Sequence, residues 1–322
     1  MNALFVLSPT ESKRLIAKAV CQLPEIAVAY RESEIVIGHG STNVYVIEEM
    51  MGQDFDASFE GHKYLSGLVV NGVLCVTQAE EKPPLIIIRK GKIVPPKATM
   101  EDTLKEFNAK SVFIKGANAV DPDGNAGIWV AHPNGGTIGW SYGIIAARGS
   151  NLVVPVGLEK LVPSVRKAAR YLGQERLQYC TGIKVGMVPI MNAKIVTELE
   201  AFHILFDVEA AHVGGGGVSG SEGSVAIAVE GEKEKVQRAI SLVESIKGEE
   251  PLRPKKSLCK NCFPASPATL VSPEEQFPEN PLANCMFVGQ DEDGLLSFFD
   301  RPKRNKSANP IISHGQEKIQ LF

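Results

Sequence analysis

The stretch of sequence that decides the fold runs from Ser111 to Pro163 and reads SVFIKGANAVDPDGNAGIWVAHPNGGTIGWSYGIIAARGSNLVVPVGLEKLVP. The apolar run Val112–Ile114 ends in a polar loop, and the small residues after Gly135 predict a helix that leads to a second apolar run, Leu152–Val156. Strand, loop, helix and strand in this order indicate parallel strands of an α/β sheet. Ligands bind at the carboxyl ends of such strands, so the polar loop indicates a binding site.

A second unit of the same kind precedes it. The apolar run Ile35–Ile37 stops at a glycine-rich loop, and Val44–Met51 is then predicted to be a helix. A helix N-terminus has unpaired backbone N–H groups and attracts anions. The loop is therefore a candidate anion site, made of Gly38, His39, Gly40, Ser41, Thr42 and Asn43. The alternative is an ordinary strand-to-helix turn that Ser41 or Thr42 caps.

A further candidate cradle for an anion is Gly135-Gly136-Thr137, which precedes an apolar helix. Its alternative role is close packing of that helix against a strand. The four glycines Gly214–Gly217 follow a predicted helix and do not open a strand–loop–helix unit. They predict a loop more than a nucleotide site.

The remaining pattern predicts the other elements of the chain. The first part should contain a helix over Pro9–Leu23 capped by Ser8, hairpins over Gly67–Val76 and Leu85–Val94, and helices over Met100–Asn108 and Leu158–Leu172. The second part should contain a strand over Ile183–Met191, a helix over Ile195–Phe206, a strand over Ser224–Val229 and a helix over Glu232–Ile246. That second order is typical of a ferredoxin-like α+β domain.

Three regions follow from these elements. We predict an α/β ligand-binding core over residues 1–180 and a ferredoxin-like α+β domain over residues 181–248. Residues 249–322 read as a proline-rich C-terminal extension that contains a C-x-x-C motif.

Composition excludes several classes of protein. The chain has 322 residues and a net charge of −3, so its charge favours no nucleic-acid partner. No apolar run is long enough for a membrane helix, and the N-terminal residues do not read as a signal peptide. Six dispersed cysteines favour a reducing cytoplasm. A homo-oligomer is compatible with the sequence, which leaves the oligomeric state open.

Three motifs resemble those of the superfamily of ribose-5-phosphate isomerase, glucosamine-6-phosphate deaminase and the CoA transferases. Residues 37–43, IGHGSTN, resemble the isomerase loop G-x-G-T-G-S-T that cradles the sugar phosphate. Residues 114–122, IKGANAVDP, resemble its I-D-G-A-D-E-V-D-P, and residues 153–162, VVPVGLEKLV, resemble a strand followed by D-E-S-K-L-V. The resemblance implies a three-layer Rossmann-like α/β sheet of the ribose-5-phosphate isomerase type with a ferredoxin-like α+β second domain. It also implies a ligand-binding role for Lys160.

The resemblance does not extend to the isomerase's catalytic residues. Lys115 and Asn118 stand in place of its two aspartates, and Ala119 stands in place of its glutamate. Its loop lysine has no counterpart in residues 133–137, PNGGT. Because moving a proton next to a carbonyl needs a positioned base, we do not expect activity on ribose 5-phosphate.

Lys115 and Asn118 are nevertheless the candidate catalytic residues. A lysine at the end of a buried strand could clamp an anion or act as an amine nucleophile, or it could pair with Asp121 or Asp123. Asn118 could bind a ligand or cap the loop. Asp121 is a candidate ligand-binding residue, although Asp-Pro-Asp-Gly-Asn is also a natural turn.

The C-x-x-C motif Cys259-Lys260-Asn261-Cys262 is half of a zinc site. Cys285 is the candidate third ligand, and the candidate fourth ligands are His203, His212 and His314. An isolated dithiol is the alternative, since no second C-x-x-C is present.

The sequence therefore predicts a protein that binds a small anionic metabolite, phosphorylated or carboxylated. Isomerase, lyase or acyl-transfer chemistry would fit the superfamily that it resembles. The alternative is a ligand sensor or a regulatory or assembly subunit without catalysis, because the superfamily's fold also serves in initiation factor 2B subunits.

Overall fold

A computed structural model describes residues 1–52, 59–70, 72–77 and 82–254. The strands are β1 (Asn2–Leu7), β2 (Glu34–Ile37), β3 (Gly67–Val70), β4 (Val73–Val76), β5 (Ile86–Arg89), β6 (Lys92–Val94), β7 (Val112–Ile114), β8 (Ala119–Val120), β9 (Ala126–Val130), β10 (Asn151–Pro155), β11 (Gly186–Ile190), β12 (Lys194–Val196), β13 (Glu209–Gly216) and β14 (Ser224–Glu230). The α-helices are α1 (Pro9–Cys21), α2 (Pro24–Glu32), α3 (Ser41–Met51), α4 (Met100–Thr103), α5 (Gly136–Arg148), α6 (Val165–Ala169), α7 (Glu198–Phe206) and α8 (Lys233–Ile246).

A mixed six-stranded sheet in the order β12-β10-β7-β2-β5-β6 is the centre of this α/β fold. Its first four strands are parallel, whereas β5 and β6 are antiparallel to their neighbours. All residues of β2 and β7 are buried, which explains their continuous apolar runs. Register places Ile37 beside Ile114 and Ile114 beside Val153, so the loops after these strands leave the same edge.

Smaller sheets connect distant parts of the chain. The N-terminal strand β1 pairs antiparallel with β14, which also pairs with β13. Strand β12 lies at the edge of the six-stranded sheet, next to β10. Elements from both sides of residue 180 therefore share sheets, and one hydrophobic cluster joins helices α1, α7 and α8 to the central strands.

Several local predictions are confirmed. Helix α1 begins at Pro9 behind a Ser8 capping box with Glu11. The two hairpins form as β3–β4 and β5–β6. The predicted Gly-Gly-Thr helix is α5, and the predicted strand and helix near residue 230 are β14 and α8.

Two predicted helices were wrong in extent because local capping and proline divide them. Residues 158–172 form a short 3-10 helix (Leu158–Lys160) followed by α6. Pro163 prevents a continuous helix, and Ser164 caps the new one. Residues 194–196 are strand β12, and α7 begins only after Thr197, which forms a capping box with Glu200.

Two further predictions need correction. Helix α4 ends at Thr103 instead of Asn108, and the Arg148 guanidinium donates hydrogen bonds to the carbonyls of Leu104, Lys105 and Phe107 that follow it. The glycine run is not wholly a loop, because β13 extends to Gly216 and pairs with Ser224. Strand β1, helix α2 and strand β9 had no counterpart in the sequence prediction.

In the described part of the chain, no helix combines the length and apolar character that crossing a bilayer requires.

Candidate functional site

The loops after β2 and β7 meet at the carboxyl edge of the six-stranded sheet. The Gly38 amide donates a hydrogen bond to the Ile114 carbonyl at 2.8 Å, and the Lys115 amide donates to the Val153 carbonyl at 3.0 Å. A Cβ atom at position 38 would lie 2.9 Å from Cδ of Lys115. A side chain at position 38 would therefore push the Lys115 side chain away from the loop.

Asn43 joins these two loops from the first turn of α3. Its side chain is fully buried, and Nδ2 donates to the Gly38 carbonyl at 2.7 Å and to the Ile114 carbonyl at 3.4 Å. Its Oδ1 is buried and accepts no hydrogen bond from the described residues. A buried acceptor without a donor is unfavourable, so this oxygen marks a position that suits a hydrogen-bond donor.

No side chain in the described ranges caps the N-terminus of α3. Gly40 occupies the N-cap position, so the alternative of a turn capped by Ser41 or Thr42 was wrong. Thr42 is buried, and Ser41 remains partly exposed at the start of the helix. The first backbone N–H groups of α3 are therefore available to an anion beside Lys115.

Four lysines form a group along this edge, which we call the lysine cluster: Lys13, Lys82, Lys115 and Lys160. Lys115 follows β7, Lys160 ends the 3-10 helix after β10, Lys82 precedes β5 and Lys13 lies on α1. The charges of Lys82 and Lys160 both act on Lys115, and the charge of Lys160 also acts on Lys13. Lys160 therefore connects the two ends of the cluster.

Burial and like charges lower the pKa values in the lysine cluster. The pKa of Lys115 falls to about 8, first because of burial and then because of Lys82 and Lys160. Burial lowers the pKa of Lys82 to about 8. Burial and Lys160 lower the pKa of Lys13 to about 8, against an opposing effect of Glu159 and Glu198.

Lys115 has no carboxylate partner among the described residues. Its Nζ atom makes a long hydrogen bond of 3.5 Å to the Gly116 carbonyl. Asp121, the partner that its sequence position offered, instead accepts hydrogen bonds from the amides of Asn125 and Val165. An ammonium in this environment is stabilised by an incoming anion.

His39 positions the segment that carries Lys82. Its Nε2 lies 2.8 Å from the Pro83 carbonyl, to which it donates in the neutral tautomer, and its ring contacts Tyr64. Burial, followed by the charge of Lys82, lowers the pKa of His39 to about 3. His39 is therefore neutral and adds no positive charge to the site.

Asn118 and Asp121 hold the β8–β9 hairpin and the start of α6. Asn118 Oδ1 accepts from the Trp129 amide at 3.0 Å. The Asp121 carboxylate accepts from Asn125 and, at 2.8 Å, from the amide of Val165. These contacts support the turn and cap roles that the sequence had offered as alternatives.

The residues Gly135-Gly136-Thr137 form the start of α5. Gly135 and Gly136 have φ values of 78° and 56°, a left-handed conformation that glycine adopts without strain. The other end of α5 leads to Asn151, whose amide donates to the Ser111 carbonyl at the beginning of β7. Helix α5 therefore runs toward β10 from its start at Gly135 and Gly136, and the role of these residues as a cradle for an anion stays a prediction.

The sequence did not lead us to predict Lys13 and Lys82 as residues of the site. Lys82 could have been found from the hairpin, because β5 is antiparallel to β2 and the residues before it lie beside the residues after β2. Lys13 gave no such signal, since only the packing of α1 against β10 and β12 brings it to this edge.

The predicted zinc ligands Cys259, Cys262 and Cys285 lie outside the described residues. Within the described ranges, no group of three or more His, Cys, Asp or Glu residues is placed to hold a metal ion. Cys21 and Cys180 are not joined in a disulfide.

Comparisons with known proteins identify no relative: no family model, no curated protein and no solved structure matches the chain. The side chains and helix termini at the carboxyl edge are therefore the basis for proposing a function.

Proposed function

We propose that the protein binds a small anionic metabolite, phosphorylated or carboxylated, in the lysine cluster. The observation that carries the proposal is the position of Lys115 beside two other lysines, with no carboxylate partner among the described residues. The uncapped N-terminus of α3 adds donors that suit phosphate or carboxylate oxygens. Binding an anion would relieve the mutual repulsion of Lys82, Lys115 and Lys160.

We also propose that the sheet is of the ribose-5-phosphate isomerase type, which the parallel order of β12, β10, β7 and β2 supports. We also retain the ferredoxin-like unit as a proposal, in which β13, β14 and α8 would combine with β1. A reducing cytoplasm is the proposed location, because the cysteines are few and dispersed.

Lys115 supports an enzymatic role more than a purely sensory one. Because the pKa of Lys115 is about 8, roughly a tenth of the molecules carry a neutral amine at this position at pH 7. A neutral amine can add to a carbonyl. The sensor or assembly role remains the alternative, since the positions that resemble the isomerase motif lack its carboxylates. Borohydride reduction with pyruvate distinguishes the two, because only a Schiff base leaves a stable mass increase on Lys115.

Calorimetric titration with inorganic phosphate tests the binding proposal. We expect Lys115→Met to weaken phosphate binding by roughly tenfold to a hundredfold, since an ion pair and its hydrogen bonds are lost. Lys18→Met is the matched control, because Lys18 is already paired with Glu49 at 3.0 Å. The proposal is wrong if the wild type binds neither phosphate nor a carboxylate such as pyruvate, or if both variants bind equally well.

A further inference from the structure

Two glutamates at the far end of the lysine cluster each carry an oxygen that has no hydrogen-bond partner in the described part of the chain. Glu198, the first residue of α7, is completely buried. Its Oε2 accepts from the Leu158 amide at 2.9 Å, whereas Oε1 accepts no hydrogen bond from the described residues. The Ser12 hydroxyl is close enough to help stabilise the carboxylate but makes no hydrogen bond of normal geometry with it.

Glu159 faces the same region from the 3-10 helix after β10. Its Oε1 lies 3.3 Å from Nζ of Lys160, and its Oε2 is buried and has no hydrogen-bond partner among residues 1–52, 59–70, 72–77 and 82–254. A Cβ atom at position 157 would lie 1.9 Å from Oε2 of Glu159. In this rotamer the Glu159 carboxylate folds back onto the backbone of Gly157, and a larger residue there would displace it.

The charges around the two carboxylates connect them to the lysine cluster. Glu198 faces Glu159 from the 3-10 helix and Lys13 and Ser12 from α1. Burial, followed by the charge of Glu159, raises the pKa of Glu198 to about 7. Lys160 contacts Glu159 and also acts on Lys115, so the carboxylates and the anion site lie along one continuous edge.

An unsatisfied buried carboxylate oxygen is costly, and two of them beside one another call for hydrogen-bond donors. Lys160 and Glu159 remain partly exposed, with side-chain exposures of 23% and 13%. The exposed parts of Lys160 and Glu159 mark the side from which a ligand bound to the lysines would approach the carboxylates. Hydroxyl and ammonium groups are the donors that a small metabolite supplies.

We propose that Glu159 and Glu198 form the second half of the ligand site, which takes a bifunctional metabolite. Its anionic group occupies the lysine cluster, and a hydroxyl or ammonium group donates to Oε2 of Glu159 and Oε1 of Glu198. The inference rests on the proposed anion site and names the class of ligand that this site selects.

Three ligands of matched length test the proposal by calorimetric titration: propyl phosphate, glycerol phosphate and aminopropyl phosphate. We expect the wild type to bind the two donor-bearing ligands roughly tenfold more tightly than propyl phosphate. Glu198→Gln should abolish this preference, because the glutamine oxygen can accept from Leu158 while its amide places a donor where Oε1 stood. Glu230→Gln, at an exposed glutamate of β14, is the control that keeps the preference.

The pH dependence of the wild type gives a second measurement that needs no variant. The preference for aminopropyl phosphate over propyl phosphate should grow as the pH rises through about 7, where Glu198 ionises. The titration of Lys115 and Lys82 cancels in this ratio, since both ligands carry the same phosphate, whereas Lys13, which faces Glu198 and has a pKa of about 8, changes the ratio only at higher pH.

The outcomes separate the two proposals. Equal binding of all three ligands by the wild type overturns the carboxylate site and leaves the anion site standing. A preference that survives Glu198→Gln, or that does not change with pH, also overturns it. If none of the three phosphates binds, both proposals are wrong for phosphates: the lysine cluster does not bind phosphate, and the carboxylates do not select among such ligands.

Discussion

Adjacent residues of α1 belong to two regions with opposite electrostatic character. Lys13 lies in the lysine cluster, whereas Arg14 lies in a group that we call the Arg14 network: Arg14, Lys18, Glu48, Glu49 and Glu249. Arg14 contacts Glu48 at 2.6 Å and both Glu49 and Glu249 at 2.9 Å, and its guanidinium lies 4.7 Å from the centre of the Tyr45 ring.

The pKa directions show what this difference means. Burial alone would lower the pKa of Arg14, but hydrogen bonds to Glu249 and Glu48 raise it overall. The pKa of Lys13 is instead lowered by burial and by Lys160. Cations matched by carboxylates stabilise the fold, whereas cations crowded without enough carboxylates reduce stability and are suited to binding an anion.

The largest expected effect is in the Arg14 network. Arg14→Met should lower the free energy of unfolding by about 4 kcal/mol, because three partly buried carboxylates lose their shared cation. Urea denaturation measures the change. Phosphate affinity should stay as in the wild type, and a loss of affinity without a loss of stability would contradict the division into two regions.

Glu198→Gln should have a pH-dependent effect on stability of about 3 kcal/mol. The pKa of Glu198 is raised from 4.5 to about 7 in the folded state, so the wild type loses stability as the pH rises across this interval. Glutamine does not ionise and avoids this loss. Unfolding curves at several pH values should show that the free energy of unfolding of the variant increases relative to that of the wild type between these limits. A difference that does not change with pH would refute the raised pKa of Glu198.

Lys115→Met should raise the free energy of unfolding by about 2 kcal/mol at pH 7 in the absence of anions, because a desolvated charge is removed. The folded-state pKa is lowered from 10.5 to about 8, so the wild type gains stability as the pH rises through this interval. The advantage of the variant should therefore shrink there. A variant that is less stable than the wild type at neutral pH would show that Lys115 has a structural partner.

The smallest expected effect concerns phosphate affinity, which should fall by about tenfold between roughly pH 7 and pH 9 as Lys115 and Lys82 lose their protons. Calorimetry in buffers of equal ionic strength measures it, since salt also screens the interaction. In Lys115→Met the fall should be shallower. An affinity independent of pH would place the anion away from these two lysines.

Part of the site was predictable because its residues are consecutive. Gly38 to Asn43 and Lys115 each follow an apolar run, and parallel strands bring their carboxyl ends to one edge. The extent of α7 was not predictable from apolar spacing, because Ile195 and Val196 fit a helical pattern but pair as a strand with β10. Consequently the position of Glu198 at the first turn of a helix, beside Leu158, could not be inferred.

The sequence alone determined the strand, loop and helix units around Gly38 and Lys115 and the charge that ends β7, since each depends on neighbouring residues. The pairing of β1 with β14, and the positions of Lys13, Lys82 and Glu198 at one edge, required the folded chain. The folded chain was also required to see that Asp121 does not pair with Lys115. Asp121 is close to Lys115 in sequence, yet its carboxylate accepts a hydrogen bond from the Val165 amide. Electrostatic energy depends on distance in space and on burial, and neither quantity can be read from separation along the chain.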